Sequence, residues 1–261
     1  MMTSADTEVI VSPCPYCRAN VSTGAPTCDE CRLSYSEHIR YTEAALAHYE
    51  THATSYERLA SLFALVAFYP VQRYRGKAIE LMDLKEGDTV LDLGCGTGLS
   101  FDAIEERIGR SGRLIGLDYT EAMLAEAQRR VRQKGWVNVR LVRGDAAAVE
   151  ALVAEPVDAV LTAYCLSLVP GWEHAISGAA KLLMPGGRFV LLDWQTMKAR
   201  GPLQLFSRLV EWLTKLYGLA DPSASFFPDR EWDTVVRAYL TDVSFWEMHL
   251  GTTILCAGVK V

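Results

Sequence analysis

Thr89-Val90-Leu91-Asp92-Leu93-Gly94-Cys95-Gly96-Thr97-Gly98 is an apolar run that ends in three glycines at alternate positions. Val90, Leu91 and Leu93 suit a central parallel strand covered on both faces, where apolar residues follow one another with little alternation. The glycines let the backbone turn sharply and approach a ligand where a Cβ would collide. Leu99 to Ile108 has helical spacing, so the stretch reads as strand, glycine turn and helix N-terminus, an arrangement that makes a nucleotide-binding crevice. A second apolar run, Leu114-Ile115-Gly116-Leu117, ends in Asp118, 20 residues beyond Gly98. At that spacing an acidic side chain meets ribose hydroxyls.

The rest of the chain repeats the alternation. A helix is predicted over Glu121–Lys134, a third strand over Val137–Val142, a fourth over Val157–Thr162, a helix over Trp172–Met184 and a fifth strand over Arg188–Asp193, with Pro185-Gly186-Gly187 as the intervening turn. Such alternation implies right-handed crossovers and a doubly wound α/β sheet. A helix over Asp229–Leu240 and a closing hairpin of Val243–Leu250 and Thr252–Val259 are expected to add antiparallel strands. Arg129, Arg130, Arg132 and Lys134 read as solvated cations complementing a helix C-terminal dipole, with Gly135 as the stop.

Ahead of the first strand lie two further regions. Cys14-Pro15-Tyr16-Cys17 and Cys28-Asp29-Glu30-Cys31 are two CxxC knuckles, and a short hairpin could bring the four thiolates around a structural tetrahedral Zn²⁺. Two disulfides or four unbound thiols are the alternatives. Helical spacing then runs from Ser36 to Phe68, stops at Pro70 and resumes over Val71–Met82. The chain thus divides into a zinc-ribbon-like module at 1–35, a helical cap at 36–82 and the α/β domain at 83–261, with an amphipathic insert helix at 202–219.

At 261 residues, half of them apolar, the chain can bury a sizeable core. Lys and Arg number 26 against 32 Asp and Glu, a net charge of −6 that offers no general attraction to nucleic acid. No signal-like N-terminus is present and no apolar stretch reaches the roughly 20 residues that span a bilayer, which gives a cytoplasmic expectation.

With Asp92 ahead of the first glycine, in the pattern DxGxGxG, and helices ahead of the first strand, the sequence resembles the class I S-adenosylmethionine (SAM) dependent methyltransferases. The elements that carry the likeness are LDLGCGTG, the LDYT strand end, RGDA and LMPGGR, over about Tyr56 to Val261. Within the class it looks most like ubiquinone/menaquinone-type C-methylases and bacterial phospholipid N-methyltransferases. The resemblance implies a Rossmann-like sheet and SAM as cofactor. It places Asp92, Gly94, Cys95, Gly96 and Gly98 at the methionine and ribose end, Asp118 on the ribose, Tyr119 and Met123 beside the adenine, Asp145 and Ala146 against it, and Ala163 and Tyr164 near the transferred methyl. Tyr56 stands where relatives carry a tyrosine near SAM, although a packed helical aromatic is as good a reading.

Methyl transfer from SAM asks mainly for alignment and exclusion of water. An acceptor with an ionisable proton also needs a base, for which Tyr164, His174 and Asp193 are candidates that sequence alone does not rank. Cys95 and Cys165 lack the proline-cysteine context of cytosine methylases and read as small hydrophobes. On the insert, Leu205, Phe206, Leu209, Trp212, Leu213 and Leu216 share one side. Leu209 and Trp212 are therefore candidates to wall a lipid-like or quinone-like small-molecule acceptor or to rest on a membrane surface, the alternative being a helix packed on its own domain.

Two other function classes stand beside this one. The four-cysteine front end also resembles zinc-ribbon rRNA guanine methyltransferases, but residues 1–52 hold Arg18, Arg32 and Arg40 against seven acidic side chains, the wrong balance for gripping RNA. A non-catalytic SAM-binding scaffold that recruits a protein through its ribbon is the third.

Overall fold

The computed structural model describes residues 11–13, 20–22, 49–58, 65, 69–169, 171–195, 212 and 230–261. Near the N-terminus β1 (Val11–Pro13) pairs antiparallel with β2 (Asn20–Ser22), Pro13 facing Asn20. Cys14 and Cys17 fall between these strands in sequence, and they lie, with Cys28 and Cys31, outside the described residues. Residues 49–58 are helical and are called α1. The expected insert is described only at Trp212, which is helical and exposed; Leu209 lies outside.

From Pro70 onward the chain builds a seven-stranded sheet. Its elements are α2 (Val71–Leu81), β3 (Thr89–Leu93), α3 (Phe101–Ile108), β4 (Arg113–Asp118), α4 (Glu121–Lys134), β5 (Val139–Arg143), α5 (Val149–Leu152), β6 (Val157–Ala163), α6 (Trp172–Leu182), β7 (Leu183–Trp194), α7 (Trp232–Arg237), β8 (Thr241–Met248) and β9 (Thr253–Val259). The strand order is β5-β4-β3-β6-β7-β9-β8. The first five are parallel, and β9 inserts antiparallel between β7 and β8. A tight turn at His249–Gly251 closes the final hairpin.

The pleat sorts side chains into two cores. Leu91, Leu93, Ile115, Leu117, Val160 and Leu191 point to the face covered by α5, α6 and α7, through Val149, Ile176, Ala179 and Trp232. Val90, Leu114, Leu161, Val190 and Leu192 point to the other face, against Ile79 and Met82 of α2, Phe101, Ile104 and Ile108 of α3, and Leu124 and Val131 of α4. Each such side chain, fully buried, is worth roughly 1.5–3 kcal/mol against exposure. The chain winds outward from β3 to β5 on one side and from β6 to β7 on the other, so the switch point lies between the carboxyl ends of β3 and β6.

Two expectations need correction. Pro185-Gly186-Gly187 is part of β7 rather than a separate turn, and the ladder absorbs it as a register shift, Val157 facing Leu183 while Ala159 faces Arg188. Main-chain bonds from Gly186 N to Lys260 O and from Lys260 N to Gly187 O keep the segment in the sheet. The cations of α4 also do more than meet solvent. Gly135 ends the helix in left-handed geometry as expected, but the guanidinium of Arg130 donates to Thr97 O, Asp102 and Glu57, tying the glycine turn, α3 and α1 together.

Candidate functional site

A cleft opens at the switch point. Its base is the turn after β3, where Gly94 N and Cys95 N both donate to Leu117 O at 2.8 and 2.9 Å. Gly94 has φ +78, and a Cβ there would stand 2.0 Å from Cys165 Sγ and 2.4 Å from Cys165 Cβ. Only glycine lets β3 and the loop after β6 approach so closely. Gly98, also at positive φ, faces the Phe101 ring, 2.7 Å from where its Cβ would be.

Asp118, at the end of β4, sits behind this turn. Its Oδ2 accepts from Gly96 N at 2.8 Å and its Oδ1 from Thr120 N at 2.9 Å. Burial raises its pKa, and these backbone donors pull it back. A carboxylate has about four lone-pair sites, so these two bonds do not exhaust its capacity to accept. Asp145 Oδ1 accepts from Ala147 N at 2.9 Å and caps the short turn that presents Ala146 to the cleft.

Arg75 of α2 enters the cleft from the opposite end and donates from Nη1 to Ser100 Oγ at 2.8 Å. Its buried Nε has no partner among the described residues. Asp92, 2% exposed, lies behind the turn rather than on the cleft surface, and its Oδ2 is likewise without a partner. Burial lifts the Asp92 carboxyl to about 7; the Arg75 charge opposes this and the Asp118 charge adds to it.

Tyr164 forms the wall after β6, with φ +59, unusual for a bulky side chain. Its hydroxyl meets Tyr69 Oη at 3.0 Å, its ring tilts against Trp194 at 5.0 Å, and the Arg75 guanidinium stands 5.5 Å from the ring centre. Burial raises the pKa values of Tyr164, Cys95 and Cys165. The two thiols are therefore held in their protonated, unreactive form.

Of the three base candidates, Tyr164 lines the cleft, whereas His174 and Asp193 do not. His174 belongs to the first turn of α6. Asp193 is fully buried and accepts from the N–H groups of Ser167 and Trp194, at 3.0 and 2.8 Å. That bond positions the loop carrying Leu168 and Val169, which line the cleft, and Arg230 grips the same loop through the carbonyls of Leu166, Ser167 and Val169.

Gly94, Cys95, Gly96, Asp118, Tyr119, Met123, Asp145, Ala146, Ala163, Tyr164 and Tyr56 all line the cleft; Asp92 and Gly98 stand just behind it. Sequence reasoning missed Arg75, Tyr49 and Tyr69. A signal for Arg75 was present, since it precedes Ala78, Ile79 and Met82 by three, four and seven residues and so places a cation on the apolar face of α2. Tyr49 and Tyr56 project from α1, which Glu50 docks by accepting from the first N–H groups of α4, Glu121 N and Ala122 N.

A family described as a methyltransferase domain matches residues 90–187. A 2-phytyl-1,4-naphtoquinone methyltransferase from Thermosynechococcus vestitus is 31% identical over 188 residues, covering 66% of this chain and 82% of that one. The chain belongs to the class I SAM-dependent methyltransferases. A demethylmenaquinone methyltransferase from Bacillus velezensis is 25% identical over 163 residues, 62% of this chain and 70% of that one. A crystal structure of a SAM-dependent methyltransferase from Aquifex aeolicus shares the fold, with a TM-score of 0.51 at 18% identity over 78% of this chain and 98% of that one. The methyltransferase is thus an enzyme that takes its methyl group from SAM, and among its described residues no helix is long and apolar enough to cross a membrane.

Proposed function

We propose that this methyltransferase transfers the methyl group to a reduced, quinone-like aromatic acceptor with an apolar tail. The observation that carries the reading is the aromatic wall at the switch point, where Tyr164 lines the cleft and packs on Trp194 and Tyr69. Such a wall suits a flat, apolar ring. The relatives named for naphthoquinone and demethylmenaquinone substrates support the same class.

SAM, when bound, supplies a methyl on a sulfonium whose departure leaves a neutral thioether. In this reading Asp118 accepts from both ribose hydroxyls, Asp145 and Ala146 meet the adenine with Met123 and Tyr119 beside it, and Gly94 and Gly96 let the methionine end lie against the backbone. Arg75 meets the methionine carboxylate, which answers its unpartnered Nε. Tyr49 and Tyr56 of α1 close the cleft against water. Of the cleft's side chains, burial keeps Tyr164, Cys95 and Cys165 protonated, and Asp118 and Asp145 are committed to the cofactor in this reading. The acceptor's own acidity then has to supply the nucleophile, as a quinol hydroxyl can, with the displaced proton passing to water.

The apolar tail is assigned to the 202–219 insert, which also carries the proposal of contact with a membrane surface. At the other end, the four cysteines are assigned a structural Zn²⁺; the β1–β2 hairpin, with Cys14 and Cys17 following β1, is a frame of the kind such sites use.

The test is methyl transfer from labelled SAM to reduced 1,4-naphthoquinone carrying a prenyl tail, compared with phospholipid and rRNA fragments. Transfer to the quinol, sharply reduced in the Leu209→Ser/Trp212→Ser variant while SAM binding persists, supports the reading. Transfer to rRNA with steep salt dependence, or to lipid head groups alone, replaces it.

A further inference from the structure

Three hydroxyls form a chain running inward from the cleft. Tyr164 Oη lies 3.0 Å from Tyr69 Oη, and Tyr69 Oη lies 2.6 Å from Thr253 Oγ1. Three hydroxyl protons serve two hydrogen bonds, so one proton is left at an end of the chain. Thr253 is 0% exposed, and Tyr69 is its only side-chain partner among the described residues. A buried hydroxyl that donates to nothing is costly, so the Thr253 proton goes to Tyr69. With that assignment the chain runs from Thr253 to Tyr69 to Tyr164, and the surplus proton stands on Tyr164, the member that lines the cleft.

Two further observations show that this arrangement is built rather than incidental. Tyr164 and His249 both carry positive φ, +59 and +47, and their rings bracket Tyr69 edge-on, at 6.4 and 4.6 Å. Strain of this kind costs about 1–3 kcal/mol per residue and persists where the surroundings demand it. Trp194 closes the set at 4.6 Å from Tyr69. The cluster joins the carboxyl end of β6 to the ends of β7 and β9, so the relay is fastened to three strands.

We propose that Tyr164 is a preset hydrogen-bond donor to an oxygen of the methyl acceptor, held in that sense by Tyr69 and Thr253 as positioning residues. The ligand class is an aromatic or enolic acceptor with a carbonyl or hydroxyl oxygen next to the methylated atom. This rests on the quinone-like reading above and adds which group orients the ring. Burial raises the pKa values of both phenols, so the relay donates a hydrogen bond without giving up its proton. As negative charge builds on the acceptor oxygen, a donor already aligned costs no reorganisation.

The experiment uses 1,4-naphthoquinone as the probe, bound to the full-length enzyme in complex with S-adenosylhomocysteine, with affinity read by calorimetry and carbonyl hydrogen bonding by infrared spectroscopy. Tyr164→Phe should weaken probe binding by about fivefold to tenfold and raise the bound carbonyl stretch, leaving S-adenosylhomocysteine affinity unchanged. Tyr69→Phe and Thr253→Val should do the same more weakly, and Thr253→Ser should restore what Thr253→Val loses. Should Tyr164→Phe not fold, the Tyr69 and Thr253 variants carry the comparison. Probe affinity and carbonyl stretch identical to wild type in all of them, or no probe binding by the wild type, would overturn the relay. If the wild-type enzyme binds the probe through Tyr164 but methylates no quinol, the acceptor reading fails and the relay stands.

Discussion

Asp118 Oδ2 accepts from Gly96 N at 2.8 Å, so the end of β4 holds the glycine turn that follows β3. One carboxylate thereby sets the base of the cleft and, with its remaining lone pairs, faces the cleft itself. Structural support and, in the proposed function, the ribose contact fall on the same side chain.

Asp118→Ala therefore removes two things at once. Charge-assisted hydrogen bonds contribute roughly 1.5–3 kcal/mol, so the SAM dissociation constant should rise at least about tenfold. The loss of the Gly96 and Thr120 bonds should lower thermal stability as well. Calorimetric SAM affinity equal to wild type would take Asp118 out of the site.

Gly94→Ala tests how tightly β3 and the loop after β6 approach. The added Cβ would stand 2.0 Å from Cys165 Sγ, at a φ of +78. Folding should be destabilised by several kcal/mol, in the range of overpacking combined with backbone strain. Cys165→Ala should not rescue it, because the Cys165 Cβ at 2.4 Å remains. Thermal melts of the single and double variants check this, and full rescue would show that the sulfur alone sets the limit.

The pH dependence of stability should carry a mark of Asp92. Its carboxyl is raised to about 7 in the folded chain, against about 3.9 unfolded. Between these values the folded state binds one more proton, so this group favours folding at the acid end, and its contribution falls as pH rises toward 7. Over the window the loss approaches about 4 kcal/mol as an upper bound. Asp92→Asn should gain stability over wild type as pH goes from 5 to 8, read as a growing difference in Tm. A constant difference would mean that Asp92 is not protonated in the fold.

The ribbon proposal is checked by metal content. Purified chain should hold one Zn²⁺, lost in Cys28→Ser while SAM binding by the α/β domain persists. Native, metal-free protein would remove the assignment.

The succession of strands along the chain, and Asp118 at the end of the second strand of the α/β domain, were legible in the sequence because they depend on local chemistry. An apolar run followed by Gly94, Gly96 and Gly98 makes a buried strand and a turn whatever surrounds it, and Asp118 ends a second apolar run. The α4 limits, Glu121–Lys134, were also readable, since apolar spacing and a glycine stop mark them. The boundary of β7 was not: Pro185-Gly186-Gly187 signals a turn, yet pairing with β6 and β9 outweighs that local preference.

What the sequence by itself determined was the glycine-turn crevice and Asp118 beside it, because period and spacing set them, while Asp145 came from the resemblance to the methyltransferases. What only the tertiary structure decided was which distant side chains converge there. Asp193 and Tyr164 both follow apolar strands and look alike as bases, but the sheet buries Asp193 against Ser167 N and leaves Tyr164 on the cleft. Arg75 reaches the cleft only because α2 packs across the sheet, and Thr253 meets Tyr69 only because β9 inserts beside β7 across a separation of 184 residues. No local propensity records such meetings. They are fixed when the two faces of the sheet exclude water and each buried polar group has to find its partner within reach.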